Sequence, residues 1–195
     1  MKIPSVFRRL FAEGAFNQAF VPVLAEYKEK EDSEIRDLID NTFGSLSAIL
    51  IIVTALAFLF TPIFVMIFAP GFYMEPLKKD LAIEILQITF PYLFFVSLVA
   101  FSGSILNSYQ KFSLPALTPL FYNLCLIVAA IWFAPQLDVP IYAIAWGVFV
   151  AGIIQVIIQI PALMQLGLLP RIKINTQHPG AVSYTHLTLP TIYSV

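Results

Sequence analysis

Four long apolar runs alternate with short polar segments along the chain. The runs cover residues 46–68, 81–106, 114–134 and 141–166. Each is long enough to cross the hydrocarbon core of a bilayer, which is about 30 Å thick and takes about 20 helical residues. The pattern therefore predicts four membrane-spanning helices. Pro62 and Pro91 lie inside the first and second runs, and Pro62 is expected to kink its helix.

The segment 3–27 is predicted to be a fifth span of a different kind. Its apolar and aromatic positions are interrupted by polar side chains, namely Arg8, Arg9, Glu13, Asn17 and Gln18. The stretch 28–40 follows, with three basic and six acidic residues, and is interpreted as a solvated helix or loop. Taken together, the segments predict an all-α integral membrane protein, built as a bundle of about five helices.

The composition excludes a water-soluble domain. The chain is 59% hydrophobic and 12% charged, with a mean hydropathy of +0.84, whereas globular chains carry about 25% charged residues. A net charge of -1 provides no basic surface, so no nucleic-acid partner is expected. Cys125 is the single cysteine, and no phosphate loop, HExxH or GxSxG motif occurs. We therefore expect no enzyme activity, catalytic residue, metal site or cofactor.

Lysine and arginine are distributed unevenly between alternate loops. Six of them lie in the loops at 28–40, 107–113 and 168–180, and only two lie in the loop between the first two runs. The positive-inside rule places the loops with more basic residues in the cytoplasm. The six are Lys28, Lys30, Arg36, Lys111, Arg171 and Lys173, and the two are Lys78 and Lys79.

The segment 3–27 carries the residues with the clearest chemical potential. Arg9, Glu13 and Asn17 are spaced by four and share one helix face. An ionisable side chain within a membrane span costs a few kcal/mol, and usually faces a water-filled cavity or the protein interior. Since arginine also suits phosphate through its planar fork of donors, the segment predicts a cavity for an anionic substrate. The alternative is that Arg8 and Arg9 only extend to the membrane interface.

Two amide side chains, Gln155 and Gln159, lie four residues apart in the last apolar run. In membrane helices such side chains commonly hydrogen-bond a neighbouring helix. We expect this pair to join helices rather than to contact a substrate.

Several motifs resemble those of the MurJ (MviN) lipid II flippase family. The longest is FRRLFAEGAFNQAFVPVLAEY at 7–27, which resembles the second helix of the family. The others are APGF at 69–72, ITFPY at 88–92, ILN at 105–107, FSLPA at 112–116 and LPRI at 169–172. Their order and spacing match the family over residues 2–181, which is far more specific than shared hydrophobicity.

The resemblance implies a partial N-terminal lobe, helices two to six, of a multidrug/oligosaccharidyl-lipid/polysaccharide (MOP) superfamily transporter. Such a protein would move lipid II, the lipid-linked peptidoglycan precursor, from the inner to the outer leaflet of the bacterial cytoplasmic membrane by alternating access. Lipid II and the lipid bilayer are then the expected partners, and no protein partner is implied.

The resemblance and the spacing single out different arginines. The cavity arginine of the family falls on Arg8, whereas the four-residue spacing favours the stripe through Arg9. We follow the resemblance and expect Arg8 to hold the pyrophosphate, with Glu13 as the second candidate. Arg9 and Asn17 complete the predicted substrate-binding set.

Two other functions are alternatives. One is export of another polyprenyl-linked glycan or a drug by a related MOP transporter, and the other is a non-transporting membrane scaffold in which the polar residues only lock helices together.

The segment 182–195, which includes VSYTHLTLPT, resembles a translated sequencing adapter, so we predict a native part of 1–181 and a non-native tail. Since the first helix and second lobe of the family are not represented, we expect the chain alone to be inactive.

Overall fold

The computed structural model describes residues 32–172 together with Pro22, Leu24 and Tyr27. Within these residues every regular element is helical, which confirms the predicted all-α fold. Between residues 32 and 172 seven α-helices follow one another, and α6 continues through a π-helical turn (Ala129–Phe133) and a 3-10 turn (Ala134–Gln136). They are α1 (Asp32–Leu59), α2 (Thr61–Phe68), α3 (Pro70–Tyr73), α4 (Pro76–Thr89), α5 (Pro91–Ser108), α6 (Ser113–Val128) and α7 (Ile141–Gln165).

Four segments of the described part are long and apolar enough to cross a membrane. They are Ser33–Leu59, Pro76–Ser108, Ser113–Gln136 and Ile141–Gln165. Large apolar side chains are exposed along them, for example those of Leu59, Leu120 and Ile157. Such a surface is stable against lipid rather than water. The chain is therefore a multi-pass membrane protein. The additional span predicted at 3–27 lies outside the described residues except for Pro22, Leu24 and Tyr27.

The first spanning helix starts earlier than the hydropathy predicts. The expected span is 46–68, but α1 already begins at Asp32. Within the charged stretch, Ile35, Leu38 and Ile39 are buried, while the neighbouring Glu34 and Arg36 are exposed. Positions i, i+3 and i+4 share one helix face. The interpretation of this stretch as solvated is therefore wrong for one face of residues 32–40, because the high charge density hides the amphipathic start of α1.

The same span also ends earlier, at a helix interruption next to Pro62. Helix α1 stops at Leu59 and α2 starts at Thr61, instead of one kinked helix over 46–68. Proline has no N–H to donate to the carbonyl four residues back, which here belongs to Phe58. The Thr61 hydroxyl lies 2.8 Å from that carbonyl oxygen and donates to it. The threonine thus satisfies the backbone group that the proline leaves unpaired.

Pro91 interrupts the second predicted span in a comparable way. Helix α4 ends at Thr89 and α5 begins at Pro91, with Phe90 between them. The amide of Phe90 still donates to the Leu86 carbonyl at 2.8 Å, so the hydrogen-bond pattern of α4 extends to Phe90. Both prolines therefore lie at helix interruptions, whereas the sequence predicts only a kink at Pro62. Pro119 and Pro161 lie within α6 and α7.

The described residues fall into two compact units, and several helices contribute to both. Unit 1 contains Pro22, Leu24, Tyr27 and residues 32–49, 97–116 and 156–172. Its core is a cluster of buried apolar side chains, in which the ring of Phe101 lies 5.9 Å from that of Phe43. The cluster is made of Leu24, Ile35, Leu38, Ile39, Phe101, Ile105, Leu106, Ala162, Leu163 and Leu168.

Unit 2 contains Leu50–Val96 and Leu117–Gln155, and two glycines of α7 allow close helix packing there. A Cβ added at Gly147 would lie 2.8 Å from the Cβ of Ala129. A Cβ added at Gly152 would lie 2.9 Å from the Cβ of Phe95 and 2.9 Å from Cδ2 of Tyr92. Helices in membranes gain stability from such van der Waals contact, since lipid supplies no hydrophobic driving force between them.

We predict that Gly152→Ala destabilises the protein by about 1–3 kcal/mol, because a methyl group 2.9 Å from the Phe95 Cβ must move a helix backbone. Thermal unfolding of the detergent-solubilised protein measures this. Gly71→Ala is the matched control, since nothing lies within 4 Å of its added Cβ. Equal unfolding temperatures for the two variants would contradict the close approach of α5 and α7.

Candidate functional site

The predicted substrate-binding residues, Arg8, Arg9, Glu13 and Asn17, lie outside the described residues. Their roles stay predictions. The structure does describe three positions near the end of the same predicted helix, of which Leu24 and Tyr27 pack on the core of unit 1.

Leu24 fixes the end of the predicted site-bearing helix to unit 1. It is helical and fully buried in the core cluster. Tyr27 is also helical and packs against the cluster from its edge. Burial of a leucine side chain contributes about 1.5–3 kcal/mol. The chain just after the candidate residues is thus attached to a packed core.

The charged start of α1 holds the chain that follows α7. Asp40 is 2% exposed, and its Oδ1 accepts a hydrogen bond from the backbone N–H of Arg171 at 2.8 Å. One turn earlier, the Arg36 guanidinium donates to the carbonyl oxygen of Gly167. We call these four residues the Asp40 clamp. A buried carboxylate that accepts a backbone N–H is a charge-assisted hydrogen bond, which is stronger than a neutral one.

The end of α7 has the geometry that the Asp40 clamp requires. Gly167 has a φ of +68°, which glycine adopts without strain. The amide of Leu168 donates to the carbonyl of Leu163 at 3.0 Å, and the amide of Gly167 donates to Met164 at 2.9 Å. This pair of bonds is a Schellman motif, and the two leucines that it brings together both belong to the core cluster. The motif turns the chain back toward α1.

The Asp40 clamp also bears on the predicted loop orientation. Arg36 belongs to the loop 28–40 and Arg171 to the loop 168–180, which the positive-inside rule assigned to one side. The hydrogen bonds between these segments confirm that they lie on the same side. That this side is the cytoplasm stays a prediction.

Sequence reasoning did not identify the Asp40 clamp. In the sequence Asp40 ends a charged stretch that is interpreted as solvated, and Arg171 is only a basic residue of a loop. The bond to Arg171 uses a backbone N–H, which any residue except proline could provide. A local sequence signal exists, because Asp40 directly follows two apolar residues, Leu38 and Ile39. Both of these are buried in the structure.

The two glutamines of α7 differ in their environments. Nε2 of Gln155 donates to the carbonyl oxygen of Thr118 in α6 at 2.8 Å, which confirms that it joins neighbouring helices. Gln159 is 1% exposed, yet neither its amide oxygen nor its amide nitrogen has a hydrogen-bond partner within the described part. Burying such a group unpaired costs about 1–3 kcal/mol. Within the described residues Gln159 therefore forms no hydrogen bond to another helix, contrary to the prediction.

The family model "Lipid II flippase MurJ" matches residues 1–195 of the chain. The chain belongs to the MurJ family. The match includes residues 182–195, and the adapter origin of that segment stays a prediction.

In the residues that the structure describes, no group of three or more His, Cys, Asp or Glu side chains could hold a metal ion.

Curated MurJ relatives match along the whole chain. A protein of Vibrio cholerae described as "Probable lipid II flippase MurJ" is 41% identical over 202 residues, which is 100% of this chain and 38% of that protein. The Lipid II flippase MurJ of Burkholderia cenocepacia is 36% identical over 199 residues, which is 100% of this chain and 39% of that protein. The chain thus spans less than half the length of these relatives.

A solved MurJ structure has the same helical architecture. It is described as a lipid II flippase MurJ in an inward closed conformation, and it is similar with a TM-score of 0.75 and 28% identity. The match covers 98% of this chain and 38% of that protein. MurJ is a transporter of the MOP superfamily, so the fold of this chain is that of a part of such a transporter.

We predict that Asp40→Ala destabilises unit 1 by about 1.5–3 kcal/mol, because it removes a charged acceptor from the Arg171 amide. Thermal unfolding in detergent measures the loss, and limited proteolysis of the segment after Gly167 reports the release of the chain. Asp138→Ala is the control, since Asp138 is exposed in the turn before α7. Unchanged unfolding and unchanged cleavage would show that the Asp40 clamp does not hold the chain.

Proposed function

We propose that this chain forms part of the N-terminal lobe of a lipid II flippase in the bacterial cytoplasmic membrane. Membership of the MurJ family over all 195 residues carries the proposal. It is supported by relatives named for the same flippase and by a solved structure of that name. Since the chain spans 38–39% of those relatives, the transport activity belongs to the longer protein.

The transport problem explains why charged residues belong in such a lobe. Lipid II carries a pyrophosphate and a sugar-peptide head group on a polyprenyl chain, and the hydrocarbon core of the bilayer is about 30 Å thick. Moving a charge through hydrocarbon without a partner is very costly. A cavity with fixed polar donors replaces the lost water, while the polyprenyl chain stays in the lipid.

Arg8 is the residue we propose to hold the pyrophosphate. A guanidinium offers several N–H donors in a planar fork, and it stays protonated at every physiological pH. Glu13 lies five residues further along and would keep the arginine side chains oriented by pairing with them. Arg9 and Asn17 share the Glu13 face and would contact the head group. Release on the outer side then requires that the cavity opens to one side at a time.

The core of unit 1 supports the proposal that the segment 3–27 carries the substrate-binding residues. Leu24 and Tyr27 attach the end of the segment 3–27 to unit 1. A binding residue acts most effectively when its backbone is held by a packed scaffold.

The alternative of a MOP exporter for another glycan or drug is less well supported, because the relatives are named for lipid II. The scaffold alternative predicts that Arg8 tolerates neutral substitution.

We predict that Arg8→Ala abolishes function in a full-length chimera, in which residues 1–181 are joined to the remainder of the Burkholderia cenocepacia relative. Growth of a bacterium depleted of its own flippase measures function, with membrane levels of the chimera checked by immunoblotting. Arg8→Lys should be intermediate, because it keeps the charge but loses the fork of donors. Lys78→Ala is the control, since Lys78 forms an exposed ion pair with Glu75 at 2.8 Å.

Normal growth with Arg8→Ala, at normal protein levels, would remove Arg8 from the transport path. It would then favour an interfacial role for this arginine. It would also place the phosphate ligand in a part of the longer protein that this chain does not include.

We also predict that residues 1–195 expressed alone do not restore growth to the depleted strain, because a cavity that opens alternately to two sides needs both lobes. The chimera serves as the positive control in the same assay. Growth supported by the short chain at comparable membrane levels would refute the need for a second lobe.

A further inference from the structure

Unit 2 contains a cavity of about 380 Å³ with a mixed polar and aromatic lining. Phe58, Trp146 and Phe149 form its aromatic walls, and Glu84 and Gln87 provide its polar groups. The rings of Trp146 and Phe149 lie 5.7 Å apart and nearly perpendicular, at 86°. We call this cavity the Glu84 pocket. None of its lining residues belongs to the segment 3–27, which carries the predicted substrate residues.

The carboxylate of Glu84 can accept a cationic donor. The Tyr142 hydroxyl donates one hydrogen bond to it, but an ionised carboxylate offers about four acceptor positions. The side chain is exposed, and no lysine or arginine lines the pocket. A carboxylate on a membrane-spanning helix, in a pocket without lysine or arginine, favours binding of a cation from outside the chain.

The position of Glu84 along its helix determines which cations can reach it. Glu84 lies two turns after Pro76, about 12 Å along the axis. The segment Pro76–Ser108 has 33 residues, so it is roughly 50 Å long and exceeds the 30 Å hydrocarbon core. The turns before Glu84 carry Lys78, Lys79 and Asp80. Glu84 is therefore placed near the boundary between lipid head groups and hydrocarbon.

We propose that the Glu84 pocket binds the primary ammonium group of a membrane lipid, as found in phosphatidylethanolamine. The carboxylate forms a charge-assisted hydrogen bond with the ammonium. The amide oxygen of Gln87 accepts a second N–H, and the aromatic walls attract the cation through their ring faces. Ile88 and Pro91 complete the lining with apolar contact for the first carbons of the lipid. By the predicted orientation, the lipid belongs to the outer leaflet.

A lipid fits this lining better than a soluble amine does. Five of the seven lining residues are apolar or aromatic, namely Phe58, Ile88, Pro91, Trp146 and Phe149. A small soluble amine would fill only the polar end of a 380 Å³ cavity. A primary ammonium is preferred over a quaternary one, because only the former donates hydrogen bonds to Glu84 and Gln87. The inference does not depend on which substrate the longer protein transports.

The test uses the full-length chimera in detergent and measures its thermal unfolding with increasing amounts of short-chain lipids. Phosphatidylethanolamine should raise the unfolding temperature more than phosphatidylcholine or phosphatidylglycerol at the same concentration. Glu84→Gln should weaken the apparent affinity for phosphatidylethanolamine roughly tenfold, because the charge is lost while the amide still accepts the Tyr142 hydroxyl. Trp146→Leu, as a second variant, should weaken it through loss of the aromatic wall. Glu75→Gln is the matched control and should leave the affinity unchanged.

Three outcomes would overturn the proposal. One is a phosphatidylethanolamine effect that survives Glu84→Gln in a protein of normal stability. Another is an equal effect of phosphatidylcholine, which would show that the ammonium N–H groups are not recognised. The third is an equal effect of free ethanolamine at the same concentration, which would assign the pocket to a soluble amine instead of a lipid.

Discussion

The need to satisfy every backbone polar group within the protein governs this structure. In hydrocarbon no water is available to pair with an open N–H or C=O group, so only regular helices can cross. The described residues are consequently helical, and the interruptions are local. At Pro62 the hydroxyl of Thr61 pairs with the Phe58 carbonyl. At the end of α7 the Schellman bonds of Gly167 and Leu168 pair the final carbonyls.

The same constraint decides where polar side chains can lie. Asp40 is buried but accepts an N–H from Arg171, and Gln155 donates to a backbone carbonyl. Glu84 lies near the membrane boundary, where a hydroxyl and lipid head groups are within reach. Other buried polar atoms have no hydrogen-bond partner within the described part, among them both amide atoms of Gln159 and the hydroxyls of Thr42, Ser45, Ser47 and Thr54. Polar groups in the described residues are thus paired by the protein, placed near the interface, or buried without a partner along α1 and α7.

Hydropathy was sufficient to predict four spans, because a bilayer imposes about 20 apolar residues on any helix that crosses it. It failed at the start of α1, where three buried apolar residues alternate with exposed charged residues and with the buried Asp40. It also could not predict the Asp40 clamp, since the Arg171 donor is a backbone group that carries no sequence signal. The family motifs at 7–27 pointed to the MurJ family, which the comparison with known proteins shows. The roles of Arg8, Arg9, Glu13 and Asn17 are untested by the described residues.

The Asp40 clamp has a consequence for biogenesis. Its two ends are 131 residues apart in the sequence, and the core of unit 1 likewise combines early and late helices. At a synthesis rate of about 5–20 residues per second, Arg171 emerges on the order of ten seconds after Asp40. During that interval the nascent α1 lacks the N–H group that Arg171 supplies to Asp40 in the folded protein. The core of unit 1 can therefore close only after the chain through Arg171 has been synthesised.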